Sequence, residues 1–340
     1  MRRSTFIDIA KGIGIILVVL GHLDTNGQIS REVIYSFHMP LFFLLSGIFA
    51  NTNMDFKLYL KKSLKTLYLP YFIFIAADTI LFTGIRLITH QSVFDFIRSN
   101  TMALIGFDFM AKNRPLWFLL ALFIIRMVYY FINKNRIVKY LSGFLCVCFV
   151  FLCSGDIVAP LSNCVFFMAI PGLAFYILGN ILGERILNME KIFNKSIRNP
   201  LESYSVSVLC VIGLFVLLLF SAHANGNIDM TYYRYGNAAL YLINAVIGSF
   251  MVLLLALLLS KIGGISKLLA FYGQNSIIVL ICHYYICRIV LPDVMAWLDL
   301  TDYLYHPVTQ LVVLLAVMII MIPVIIIVNK YFYFMFGKKK

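Results

Sequence analysis

An all-α, polytopic membrane helix bundle of about ten transmembrane helices, with both termini in the cytoplasm, is the fold class that three observations predict. First, 62% of the 340 residues are hydrophobic, 13% are charged and the mean hydropathy is +0.92. A water-soluble globule requires far more surface charge than that. Second, the chain contains a series of apolar stretches, each long enough to cross about 30 Å of hydrocarbon. Third, Lys and Arg are spread very unevenly over the connections between them.

The stretches are read near 5–23, 34–51, 67–88, 115–132, 138–154, 163–183, 204–222, 238–260, 268–290 and 307–332. The first is unusual in carrying Asp8, Lys11 and His22 within one apolar helix. The second opens with its own histidine, in Phe37-His38-Met39-Pro40-Leu41-Phe42-Phe43. The third follows the basic cluster Lys57, Lys61, Lys62 and Lys65, and the fourth begins at Arg114-Pro115-Leu116-Trp117. The fifth is the weakest, being short and interrupted by Ser142-Gly143. The sixth, seventh and eighth are long and apolar. The ninth holds Tyr272-Gly273-Gln274-Asn275-Ser276 and His283, and Gly273 is a natural place for a break. The tenth precedes Lys338-Lys339-Lys340.

With the N-terminus inside, nineteen of the 28 Lys and Arg fall on inner segments, seven on outer segments and helix ends, and two within spans. Short-loop basic residues set orientation by the positive-inside rule, and the bias is decisive. The net charge of +13 is therefore read as topology and not as a nucleic-acid footprint. No small-residue cleavage site follows the first span, which argues against a removable signal peptide. The seven cysteines lie in or beside apolar spans without CxxC spacing, and predict neither a disulfide nor a metal site. No repeat, low-complexity tract or linker divides the chain, so residues 1–340 are read as a single transmembrane domain. The sequence sets no oligomeric state.

Ionisable groups inside a bilayer are costly and mark function by default. Lys11 and His22 stand eleven residues apart, which at about 100° per residue brings them to nearly one helix face, about 16 Å apart along the axis. The first span runs outward and the second inward, so His22 and His38 come to similar depth near the outer side. On a continuous ninth helix counted from residue 268, His283 lies about 22 Å from the inner boundary, in the same outer half. Asp8 and Lys11, at i and i+3, suit an ion pair anchoring the inner end. Asp78, Arg126, Asn180 and Asn244 suit interhelical hydrogen bonding, and Trp117 suits an interfacial aromatic.

These islands resemble, in order, the motifs of the acyltransferase-3 family of integral membrane acyltransferases. The residues that carry the resemblance are Asp8, Lys11-Gly12 and Gly21-His22, then FHMPLFFLLSG, then Leu116-Trp117-Phe118-Leu119, then Tyr272 to Ser276 with His283. Within the family the pattern is nearest to the fucose 4-O-acetylase-like proteins. The resemblance implies an enzyme of the bacterial inner membrane that moves an acetyl group from acetyl-CoA to a hydroxyl of a glycan or lipid-linked sugar. It implies His22 as the catalytic base, with His38 and His283 in support or bonded structurally. Lys11, Lys61, Lys62 and Lys65 are the donor-binding candidates, although an ordinary inner loop touching anionic headgroups reads the same way. Relatives carry arginines before the Pro-Tyr where Ser63 and Thr66 stand here, and lysine lacks the bidentate fork of arginine. Asp8, Arg114, Trp117, Asn275 and Ser276 are candidates for substrate or oxyanion support, and Asn275-Ser276 suits a helix cap equally well.

A neutral imidazole, with an ordinary pKa of about 6.5, suits removal of a hydroxyl proton near neutrality. General-base catalysis and a covalent acyl-histidine both fit. Two other classes fit the helices: a transporter or flippase of a lipid-linked sugar, which calls for matched halves with broken helices, and a non-catalytic sensor, against which the retained Gly21-His22 argues.

Overall fold

The computed structural model describes residues 4–23, 28–107, 114–153, 164–195, 200–299 and 306–337. Its helices are α1 (Thr5–Leu23), α2 (Gln28–Ile48), α3 (Phe56–Ser63), α4 (Leu69–Ile88), α5 (Phe94–Leu104), α6 (Trp117–Ile132), α7 (Arg136–Cys153), α8 (Val165–Lys195), α9 (Pro200–Asn225), α10 (Ala238–Leu259), α11 (Gly263–Gln274), α12 (Ser276–Tyr285), α13 (Leu291–Trp297) and α14 (Pro307–Tyr331). No strand occurs among the described residues. The protein is an all-α, multi-pass membrane protein.

Eight helical runs among the described residues are long and apolar enough to cross a membrane. Two of the ten expected stretches are helical but fall outside that set. Helix α6 has 16 residues, and α2, with 21, is diluted by Arg31, Glu32 and His38. The doubtful fifth stretch forms α7 of 18 residues despite its Ser-Gly pair.

Three expectations are corrected. The basic cluster before the third stretch does not lie on a loop, because α3, a π turn at Leu64–Tyr68 and α4 continue as one helical run of 33 residues, Phe56–Ile88. Asp55 starts it by accepting a hydrogen bond from the Lys57 amide at 2.8 Å. The ninth stretch is not one helix. It breaks at Asn275, two residues beyond the glycine where a break was expected, and resumes as α12, a π turn at Ile286–Val290 and α13. Trp117 is not an interfacial aromatic; it is buried, with its ring edge-on to Phe118 at 6.4 Å.

The chain folds as two compact units. The first comprises 1–50, 175–229 and 234–322, and the second 51–174, 230–233 and 323–340. Helices α8 and α14 are divided between them, α14 at Pro323. In the second unit, α6 is fastened to the stretch before α3. The Tyr130 hydroxyl donates to the Met54 carbonyl at 3.0 Å, and the Asn133 amide donates to the Thr52 hydroxyl at 2.9 Å. Arg126, expected to bond between helices, lies over the Tyr59 ring at 5.2 Å.

The first unit is built on α1, which packs most extensively against α11 and also meets α2, α10 and α12. In hydrocarbon, helices associate by close van der Waals packing and small residues let backbones approach. Gly12 and Gly273 supply that approach: a Cβ on Gly12 would meet the Leu269 carbonyl, and one on Gly273 the Asp8 carbonyl. The order of these contacts, 269 against 12 and then 273 against 8, runs α11 opposite to α1. Gly47 and Gly179 do the same between α2 and α8, against Tyr176 and Leu44. Asn244 of α10 bonds between helices as expected, accepting from the Ser221 hydroxyl of α9 at 2.6 Å.

This packing predicts that Gly12→Ala and Gly273→Ala each lower the melting temperature in detergent, since overpacking costs about 1–3 kcal/mol. Gly84→Ala and Gly213→Ala meet nothing within 4 Å and should leave it within a degree or so of the native value, which a dye-based thermal scan reads directly.

Candidate active site

Two helices of the first unit bring two of the expected histidines into contact. His22 closes α1 and His283 lies within α12, with ring centroids 5.0 Å apart in an edge arrangement. His283 Nε2 is 3.4 Å from His22 Nδ1. Tyr284 stands edge-on to His22 at 5.7 Å. His38, in α2, packs against Tyr35 at 4.9 Å, and the Tyr35 hydroxyl reaches the Gly21 carbonyl beside His22. His38 and His283 are buried, while His22 is half-buried.

All three rings share one local geometry. Each Nδ1 reaches the carbonyl four residues back: His22 to Val18 at 2.8 Å, His38 to Ile34 at 2.8 Å and His283 to Val279 at 2.7 Å. A carbonyl oxygen only accepts, so each Nδ1 carries the proton and each neutral ring keeps its lone pair on Nε2. The helix itself therefore selects the tautomer. For His283 that lone pair points toward the Nδ1–H of His22, which is shared between Val18 and His283. Among the described residues nothing bonds His22 Nε2, which is thus available as a base, and an imidazolium formed there would be held on its far side by two acceptors.

The same bonds bear on oxyanion support, which needs N–H or O–H donors. Neutral His38 and His283 have committed their single N–H groups to Ile34 and Val279, so neither offers a donor to a developing alkoxide. Asn275 and Ser276 stand at the α11–α12 joint, and the Asn275 amide donates to the Phe271 carbonyl at 2.8 Å, closing the end of α11. Ser276 precedes His283 by seven residues, about 10 Å of helix rise. The Asn275 side chain thus serves the end of α11 and makes no capping bond at the start of α12.

The inner end of α1 is a separate place. Asp8 is buried and accepts from the Gln274 amide at 3.2 Å, and the Lys11 ammonium lies over the Phe49 ring at 5.4 Å. Asp8 precedes His22 by fourteen residues, about 21 Å of rise. Asp8 thus helps to hold the close α1–α11 crossing. Lys57, Lys61, Lys62 and Lys65 are all exposed in the second unit. Trp117 belongs to that unit too, and the side chain of Arg114 lies outside the described residues.

A family model described as an acyltransferase domain matches residues 4–330, nearly the whole chain and both units. The chain belongs to the acyltransferase-3 family. No curated protein and no solved structure matches it. As an acyltransferase of the membrane, the protein must bring an acyl donor and an acceptor to a group that can move a proton.

Several neighbours escaped the sequence reading. Tyr284 follows His283 directly, and Tyr35 sends its hydroxyl to the Gly21 carbonyl at 3.4 Å. Arg31 stacks its guanidinium on the Tyr35 ring at 4.9 Å, and Arg288 lies in the π turn Ile286–Val290, which packs against α1. Buried Glu32 accepts from His223 Nδ1 at 2.9 Å, joining the start of α2 to the end of α9. For the two arginines a signal existed, since they are basic residues at helix ends assigned to the outer side. Tyr35 carried none, because its partner lies elsewhere in the sequence.

Proposed function

We propose that this acyltransferase of the membrane moves an acetyl group from cytoplasmic acetyl-CoA to a hydroxyl of a cell-surface or exported glycan, with His22 as general base. The observation that carries the reading is the tautomer-locked His22–His283 pair. In the reaction, His22 Nε2 takes the acceptor hydroxyl's proton as its oxygen attacks the thioester carbonyl. The tetrahedral intermediate then collapses, the carbon–sulfur bond breaks, and the imidazolium returns the proton to the departing thiolate. His283 is a positioning residue that acts through His22. A donor coenzyme is polyanionic, and Lys11 and the exposed Lys61, Lys62 and Lys65 are the proposed contacts for its phosphates.

The basic bias supports an orientation with both termini in the cytoplasm, in the inner membrane of a bacterium. Within the family, the order of motifs supports the fucose 4-O-acetylase-like subgroup. The test is incubation of purified protein in detergent with radiolabelled acetyl-CoA and bacterial surface glycans or lipid-linked sugars. Label on the saccharide, released by mild alkali as an ester is, supports the reading. Failure to label any acceptor, with the protein folded, refutes it.

A second expectation concerns the donor. Replacing Lys61, Lys62 and Lys65 together by Gln should raise the acetyl-CoA KM at least tenfold, with the acceptor KM little changed. Unaltered donor affinity at fixed salt would assign these lysines to orientation and headgroup contact.

A further inference from the structure

The proton transfer assigned to His22 leaves unused a set of charges around it. Arg31, near the start of α2, stacks its guanidinium on the Tyr35 ring at 4.9 Å. Tyr35 in turn bonds to the carbonyl of Gly21, the residue before His22. Arg288 is exposed in the π turn Ile286–Val290, five residues beyond His283. Such π turns recur at functional sites because they re-aim a side chain within an otherwise regular helix.

The π turn that carries Arg288 packs against α1, the helix that His22 closes, and Arg31 reaches the same end of α1 through Tyr35 and Gly21. Neither arginine enters a salt bridge among the described residues, where Glu32 pairs with His223 instead. Orientation does not account for them. Arginines at the outer ends of helices oppose the positive-inside signal, yet two of the seven basic residues assigned to that side lie on elements that meet α1, the helix that His22 closes. Arginine presents a planar fork that matches carboxylate and phosphate oxygens, and stacking on an aromatic face holds the fork in place.

We infer that Arg31 and Arg288 clamp the acceptor, and that the acceptor is therefore an anionic saccharide, bearing a carboxylate or phosphate near the hydroxyl that is acylated. The clamp rests on the reading of His22 as the acyl-transfer base. It changes no bond and moves no proton. Its work is to hold the hydroxyl in line with His22 Nε2.

The experiment compares methyl glucoside, the matching methyl glucuronide and a hexose phosphate as acceptors, at low and fixed salt, with the native protein and with Arg31→Gln/Arg288→Gln. The quantity read is the kcat/KM for a charged acceptor divided by that for the neutral one. It is expected to exceed ten in the native protein, to fall at least tenfold in the double variant, and to recover in part in Arg31→Lys/Arg288→Lys. Preference for the glucuronide identifies a carboxylate and preference for the hexose phosphate a phosphate, and either sustains the clamp. A native protein that uses neutral and charged acceptors equally, or a ratio unmoved by the double variant, overturns it while leaving the acyltransferase reading intact. If no acceptor is acylated, it is that reading which fails. Calorimetric titration with methyl glucuronide then decides the clamp alone: at least tenfold weaker binding in the variant sustains it, and equal or absent binding overturns it. Should the double variant not fold, Arg288→Gln, whose side chain is exposed, is measured in its place.

Discussion

Replacing His22 by Ala is expected to abolish acetyl transfer while leaving the protein inserted and folded. The helix loses no backbone bond, since the ring's own partner is the Val18 carbonyl of the same turn, and alanine is the best helix former. What is lost is the imidazole whose Nε2 has no bond among the described residues. His38 and His283 keep their lone pairs on the same nitrogen, but both rings are buried, and that of His283 faces His22. Removal of a general base costs about 10² to 10⁴ in rate. The check is the initial rate with radiolabelled acetyl-CoA, set beside the thermal midpoint of the same preparation.

The second large effect is expected at His283. Its Nε2 accepts from the Nδ1–H of His22, so His283→Leu leaves that ring with Val18 as its one acceptor. The ring then turns more freely, and misplacement of a catalytic group by about 1 Å costs about 10²-fold. His283→Gln restores an acceptor oxygen at comparable reach and should recover most of the lost rate. A purely structural role would make the two variants fail together, in melting temperature as in turnover. The expected pattern is a split in which kcat falls in His283→Leu, the acetyl-CoA KM stays near its native value, and glutamine rescues.

Much of this site could be read in the chain because its histidines interrupt apolar helices, where a polar side chain has few innocent uses. His22 and His283 were placed in the same outer half by counting helix rise, and they do meet. The counting was nevertheless wrong in route. It assumed one helix from 268 onward, whereas the chain breaks at Asn275 and α11 runs opposite to α1 along the Gly12–Gly273 crossing. Hydropathy measures how much apolar length a segment has and is blind to a single reversal inside it. The lysine cluster shows the converse failure: charged residues suggested a loop, but the helix passes through them from Phe56 to Ile88. Trp117 illustrates a third limit, because an aromatic at a helix end looks the same in sequence whether it faces headgroups or is buried. The arginine pair was visible in composition and invisible in meaning, since each was counted as charge and only the fold sets their elements against α1.

The most direct test of the account is the initial rate of acetyl transfer, per mole of folded protein, in His22→Asn. Asparagine keeps hydrogen-bonding capacity at the end of α1 and removes basicity alone. The account predicts an unchanged thermal midpoint with a rate lower by at least about 10². A folded His22→Asn protein that transfers acetyl at close to the native rate would contradict it.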